Sequence, residues 1–335
     1  RDLAEVLLLD AAHLQEEDAR RANRYGYSRH TKALPLFTQA DAKRAIGQMV
    51  AVPENRPRAV GKGPLQFTLR PAGHLLGACS IVLECEGERL LFSGDLGRQN
   101  DLLMKPPTPL DHADVVLMES TYGNRLHPRE DIAGVLADII HASIRRGGSV
   151  LMPAFAVGRA QALLLTLQRL KAQGEIPSHL PIFLDSPMAV EATALYRKYR
   201  RQLRVPEREM QQLCDGVHLV TTPAQSQRLV RSQTGAHLPA VIISASGMCE
   251  AGRIRHHLKD WLWRPEATVL LVGYQANGSL GRTLLEGARH IRMMGSEIEV
   301  RATIRSLDVY SGHADAPELL DWIKARLPIK GTIFL

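Results

Sequence analysis

The chain has 335 residues and a formal charge of +7, and 45% of it is apolar, enough for a sizeable core and too much for a disordered chain. No apolar run approaches the length of a membrane span, because Glu5-Val6-Leu7-Leu8-Leu9 is closed at once by Asp10, and no stretch reads as a signal peptide. The four cysteines, Cys79, Cys85, Cys214 and Cys249, are scattered with no Cys-x-x-Cys spacing, which points to reduced core residues and a cytoplasmic protein rather than a disulfide or zinc framework.

In chain order, residues 2–22 carry an amphipathic helical pattern on Leu3, Val6, Leu7 and Leu14. Tyr25-Gly26-Tyr27 reads as a loop, and Thr38 caps a second helix from Ala40 to Met49. Strands are expected at 65–70, 80–86 and 88–93, with Gly87 in the turn between the last two. Leu102 to Asp111 is Pro-rich loop, and a strand follows at 114–118. From Pro128 the texture becomes regular strand–helix alternation: helix 129–146, strand 149–152, helix 160–172, strand 181–184, helix 188–201, strand 217–220, helix 224–232, strand 239–244, helix 253–262 and strand 267–272. Such alternation predicts an α/β unit with a largely parallel sheet. Short strands at 298–305 restore the texture of the first part, so the middle reads as an insertion. Arg1 falls within a helical pattern and Gly331–Leu335 within a strand pattern, so both ends are expected to be cut, with site residues lying outside the chain.

The charge is uneven. Residues 125–301 hold 23 Lys and Arg against 15 Asp and Glu, whereas the rest is close to neutral. A basic segment beside a polar site suggests a polyanionic substrate; a merely solvated basic surface explains the charge equally well.

Three short apolar strands each run into a polar residue. Phe67–Arg70 leads to His74, Arg89–Phe92 to Ser93-Gly94-Asp95, and Asp114–Met118 to Glu119. An imidazole and two carboxylates just past neighbouring strands converge on one sheet edge, where metals and hydrolytic water are handled. His74 and Asp95 are the metal-ligand candidates, with Gly73, Gly77, Gly94 and Gly97 permitting tight turns. His313, in Ser311-Gly312-His313-Ala314-Asp315, fits the same site; a carboxylate such as Glu119 beside it would orient the ring for proton donation. Asp315 also has the position of a helix cap. The middle segment repeats a Gly-Arg pair at helix starts, Gly158-Arg159, Gly252-Arg253 and Gly281-Arg282, a device suited to phosphate. There is no GxxxxGK[ST], which argues against a nucleotide triphosphatase, and aromatics at 5% argue against extensive base stacking. Adjacent His256 and His257 face different ways on a helix and read as surface or packing residues.

Taken together, these stretches resemble the metallo-β-lactamase-fold nucleases of the β-CASP group, which includes the endonuclease of pre-mRNA 3′-end processing and bacterial and archaeal ribonucleases. The segment at His74 is similar to a zinc-ligand histidine motif, Ser93-Gly94-Asp95 to the zinc-bridging aspartate, Glu119 before Ser120-Thr121-Tyr122-Gly123 to motif A, and His313 to motif B. The resemblance implies an α/β fold, a metallo-β-lactamase αββα-type sandwich over residues 1–124 and 302–335 with an inserted α/β β-CASP domain, a parallel sheet flanked by helices, over 125–301. It implies catalytic Asp95, Glu119 and His313, metal ligands His74 and Asp95, and RNA-channel residues Arg159, Gln161, Ser186, Ser246, Gly247, Met248, Arg253, Ser279 and Arg282. It further implies a zinc-dependent ribonuclease using two zinc ions in the full-length parent, acting on single-stranded RNA, with a homodimer among the expected assemblies and no membrane partner. The HxHxDH motif and motif C of the group are absent, so this fragment is expected to be inactive by itself. A DNA nuclease of the same group, an inactive RNA-binding subunit and a small-molecule metallo-hydrolase are the alternatives.

Overall fold

Two six-stranded sheets organise the chain. The computed structural model describes residues 1–109, 112–128, 131–232, 239–307 and 310–335. The end of the expected loop at Leu110 and Asp111, and positions 129 and 130 of the expected helix 129–146, lie outside the described residues.

The chain opens with α1 (Asp2–Tyr25), which runs three residues beyond the expected helix and is stopped by Gly26 in the left-handed conformation. Next is α2 (Gln39–Gln48), opened by a capping box between Thr38 and Asp41. Then come β1 (Arg58–Ala59), β2 (Gln66–Pro71), β3 (Cys79–Cys85), β4 (Glu88–Phe92) and β5 (Val115–Leu117). The alternating region supplies α3 (Ile132–Arg145), β6 (Val150–Pro153), α4 (Arg159–Gln173), β7 (Ile182–Asp185), α5 (Pro187–Lys198), α6 (Glu207–Gln212), β8 (Val217–Leu219), α7 (Pro223–Ser232), β9 (Val241–Ser244), α8 (Ile254–Trp261) and β10 (Thr268–Leu271). The last elements are α9 (Leu280–Leu285), β11 (His290–Met293), β12 (Ser296–Glu299), β13 (Thr303–Ser306), α10 (Ala316–Lys324) and β14 (Ile333–Phe334).

The first sheet has the order β1-β2-β3-β4-β5-β14. Its first four strands form an antiparallel meander, and β5 and β14 add in parallel. The second sheet, β13-β10-β6-β9-β7-β8, is parallel throughout. Every residue of β6, β9 and β10 is buried, which is why these strands are unbroken apolar runs rather than alternating ones. Leu136, Ile140, Leu163 and Leu167 pack in one core of this lobe; Ile254, Leu258 and Trp261 of α8 pack in another. The first lobe has a smaller core around Leu91, Val116, Leu319 and Trp322. At about 1.5–3 kcal/mol per buried large side chain, apolar burial contributes more in the inserted lobe.

Mixed α/β architecture with a parallel sheet between helices agrees with the sequence, and three details differ. Of the sandwich, the described residues hold one sheet in the first lobe. The short strands expected at 298–305 are β12 and β13, and they join different sheets: Met294 and Gly295, both at positive φ, turn β11 back onto β12 as a hairpin, and β13 pairs with β10. Residues 303–306 therefore lie in the inserted lobe's sheet, not in the return segment expected from residue 302. Finally, α1 is fastened to the second lobe. Asp2 accepts hydrogen bonds from Lys198 Nζ at 2.6 Å and the Tyr199 hydroxyl at 2.7 Å, and Leu3 packs on that lobe's core.

Candidate metal centre and active site

The site is built where three loops of the first lobe are laced together by backbone. After β2 the chain turns through Gly73 at φ 74, and a Cβ there would stand 2.7 Å from the Lys105 carbonyl oxygen. The Gly97 N–H donates to the Ala72 carbonyl at 2.8 Å, and Gly73 forms an isolated bridge with Leu96. Any side chain at Gly97 would collide with the Gly73 carbonyl. The Ala314 N–H then donates to the Leu96 carbonyl at 2.8 Å, bringing in the third loop. Only glycine permits the first two approaches.

This lacing gathers His74, Asp95 and His313. Their ligand atoms all lie within 4.8 Å of one another. His74 Nε2 is 4.0 Å from Asp95 Oδ2, and the His74 and His313 rings have centroids 4.3 Å apart. Glu119 completes the group from the end of β5. Its N–H donates to Ser93 Oγ at 2.9 Å, its Oε1 accepts from the Leu96 N–H, and its Oε2 lies 2.9 Å from His313 Nδ1. The three residues picked from strand ends and the loop residue His313 thus meet in one place.

Burial, and then the neighbouring His313, push the His74 imidazole below its ordinary range, which keeps it neutral and its nitrogen available as a ligand. Burial would raise the Glu119 carboxyl, but the hydrogen bond and charge of His313 and the Leu96 N–H outweigh it and hold Glu119 ionised. The donors, two imidazoles and a carboxylate whose side chain is 61% exposed, are those that a zinc-type cation accepts. Of the four ligands of a usual tetrahedral set, His74 and Asp95 supply two, with His313 within ligand distance of both.

Several contributors escape sequence reasoning. Buried His127 lies with Nε2 2.8 Å from the His313 carbonyl, and its N–H donates to Asp315 Oδ2 at 3.0 Å. Its ring stacks with Tyr122, centroids 5.3 Å apart, and Tyr122 in turn lies 6.0 Å from His313 at an interplanar angle of 10°. The signal was present in Tyr122-Gly123-Asn124-Arg125-Leu126-His127, a run of polar rings in a glycine loop directly after Glu119. Asp315 caps α10 through a capping box with Glu318, as its position suggested.

The second lobe needs more correction. Arg159 lies at the candidate site: with His74 and His313 it lines a cavity of about 1010 Å³ between the lobes, and its Nε donates to the Tyr310 carbonyl at 3.1 Å. Arg253 is used internally, donating to Asp185 Oδ1 at 2.8 Å and to the carbonyls of Val220 and Thr221. Gln161 is fully buried and donates to Ala156, Ala189 and Thr193. Ser186 and Ser279 cap α5 and α9. Ser246 Oγ accepts from the Ala251 N–H. The Gly247 carbonyl accepts from Gln275, and the Met248 carbonyl from Gly281 N–H. Arg282 pairs with Glu286 on the surface of α9. These eight make contacts within the lobe, and of the three Gly-Arg arginines Arg159 is the one that lines the cavity. His257 packs internally, as expected, against Asp185 at 2.7 Å.

No helix among the described residues is long and apolar enough to cross a membrane. Three family models match the chain: the metallo-beta-lactamase superfamily over residues 10–136, the Beta-Casp domain over 160–284, and the Zn-dependent metallo-hydrolase RNA specificity domain over 297–335. The chain is similar to Ribonuclease TTHA0252 of Thermus thermophilus, 34% identical over 97% of this chain and 71% of that protein. It is 32% identical to Transcription termination factor FttA of Pyrococcus horikoshii, over 88% of this chain and 47% of that one. Endoribonuclease ysh1 of Schizosaccharomyces pombe is 32% identical over 87% of this chain and 38% of its own length. The chain thus spans about half or less of the last two relatives. Its two lobes, its polar loop cluster and these likenesses agree: the chain belongs to the β-CASP family of metallo-β-lactamase-fold RNA nucleases.

Proposed function

We propose that this chain forms the core of a metal-dependent ribonuclease that hydrolyses phosphodiester bonds of single-stranded RNA in the cleft between its lobes. The observation that carries the reading is the convergence of His74, Asp95 and the Glu119–His313 pair, with His74 and His313 lining a cavity shared by both lobes. His74 and Asp95 would hold zinc, two ions being expected in the full-length protein. Bound zinc would supply charge stabilisation and water activation at neutral pH.

The remaining chemistry belongs to the chain. Glu119 accepts from His313 Nδ1, so the other ring nitrogen is left to face the substrate and to hand a proton to the leaving oxygen. His127 fixes the loop behind that ring through the His313 carbonyl. Arg159 stands at the cavity wall with a guanidinium suited to a phosphate oxygen. Cysteines without disulfide partners support a cytoplasmic setting.

The test uses the full-length protein with end-labelled single-stranded RNA and DNA of one sequence, each with and without a chelator. Chelator-sensitive cleavage of RNA alone is expected. Cleavage of DNA would place the protein with the DNA nucleases, and tight RNA binding without cleavage would make it a binding subunit.

A further inference from the structure

The roles assigned above leave Arg125 without one, although it occupies a distinctive place. Its guanidinium lies over the Tyr122 ring, 5.2 Å from the centroid, and over the Tyr274 ring, 4.4 Å from that centroid. Tyr122 belongs to the loop after Glu119 and stacks with His313. Tyr274 belongs to the other lobe, in the loop after β10. The Arg125 carbonyl also accepts from the Ala316 N–H at 3.1 Å, at the start of α10 and three residues past His313. Backbone and side chain of one residue therefore join the His313 loop to the opposite lobe.

Tyr274 is itself held in place. A side chain on Gly273 would collide with the Arg159 guanidinium, and Arg159 reaches the other way across the seam to the Tyr310 carbonyl. Two arginines thus cross between the lobes in opposite directions, on either side of the Gly273–Tyr274 step. A planar guanidinium can stack on two aromatic faces at once, which a lysine ammonium does less well.

We propose that Arg125 and Tyr274 form a clasp across the seam that sets His313 against its substrate, Arg125 acting as a positioning residue through Tyr122. The kinetic consequence rests on the ribonuclease reading; the clasp itself does not. In the structure the Tyr122–Arg125–Tyr274 column is complete and stands behind the His313 ring through Tyr122, with Tyr274 38% exposed at its outer end.

The test is a double-mutant cycle in the full-length, metal-loaded protein with Arg125→Ala, Tyr274→Leu, their combination, and the milder Arg125→Lys and Tyr274→Phe. Arg125→Ala and Tyr274→Leu should each lower kcat on single-stranded RNA about tenfold, with KM unchanged within about twofold. The double variant should be no slower than either single, because both remove one contact. Tyr274→Phe should behave as wild type and Arg125→Lys should recover part of the loss. Multiplying losses, or a raised KM at unchanged kcat, would overturn the proposal, the latter by making Arg125 an RNA contact. The thermal unfolding midpoints of the same variants decide the clasp independently of cleavage. A shared, non-additive loss supports it, and additive losses contradict it. A wild type that cleaves no RNA would instead count against the ribonuclease reading.

Discussion

At the scale of single residues, the site depends on missing side chains as much as on ligands. Gly97 lies so close to the Gly73 carbonyl that a methyl group must push the His74 and Asp95 loops apart. Gly97→Ala is expected to lower the zinc retained by the purified full-length protein and to cut kcat by about 10²-fold, the penalty of roughly 1 Å of misplacement. Unchanged metal content would show that the ligand spacing does not depend on this approach. His74, Asp95, Glu119 and His313 were legible in the sequence because each is a polar residue at the end of an apolar strand or in a small-residue loop, and topology carries such positions to a common edge. The internal partners of Arg253 and Gln161 were not legible, for the converse reason. A glycine-flanked arginine at a helix start looks the same whether its guanidinium faces solvent or, as here, a buried carboxylate on a neighbouring strand. Side-chain direction at that level is a tertiary property.

At the scale of elements, Asp185 at the end of β7 ties several together. It is fully buried and accepts from Ser226 Oγ of α7 at 2.6 Å and from Arg253 at the start of α8, with His257 Nε2 at 2.7 Å. Removing one partner of such a buried pair strands the other, so Asp185→Ala should cost about 3–5 kcal/mol of stability. It should leave the KM for RNA of the surviving folded protein unchanged, which steady-state kinetics would check. The sign of its pH dependence also follows. Burial alone would raise the Asp185 carboxyl, but hydrogen bonds from His257 and Ser226, with the charge of His257, outweigh it and hold it below its ordinary range. Its stabilisation is therefore fully present above the unfolded value of about 4 and is lost as pH falls through the lower folded value. The gap in unfolding midpoint between wild type and Asp185→Asn should narrow below about pH 4; a constant gap down to about pH 2 would contradict the assignment. Elements themselves were largely legible, since β6, β9 and β10 are continuous apolar runs between amphipathic helices. The exception is the pairing of the strands at 298–305: β12 folds back on β11 as a hairpin, whereas β13 joins a sheet whose other members are far away in sequence. Local pattern marks a strand there but not its partner.

At the scale of the whole molecule, the basic inserted lobe faces a site whose chemistry sits mainly in the other lobe. Residues 125–301 carry all the excess positive charge, and attraction to a phosphate chain through such a surface weakens as counterions compete. Raising salt from about 50 to 200 mM should therefore raise KM for RNA steeply while leaving kcat nearly unchanged. A salt-insensitive KM would show that the basic lobe does not hold the strand. The two-lobed plan was readable from the change of texture at Pro128, whereas the seam between the lobes was not. Tyr274 joins Tyr122 and Arg125 only when both sheets are in place, and nothing in its spacing announces it.

The central claim is a division of labour, with His74 and Asp95 holding metal and His313, oriented by Glu119, moving the proton. Because His313 stands within ligand distance of the other two, the most direct test measures bound zinc and RNA cleavage side by side in full-length His74→Ala, Asp95→Ala, His313→Ala and Glu119→Gln. The first two should lose zinc and activity together. The last two should keep wild-type zinc and lose kcat, His313→Ala by about 10²–10⁴-fold. Loss of zinc from His313→Ala, or cleavage undiminished in it, would contradict the account.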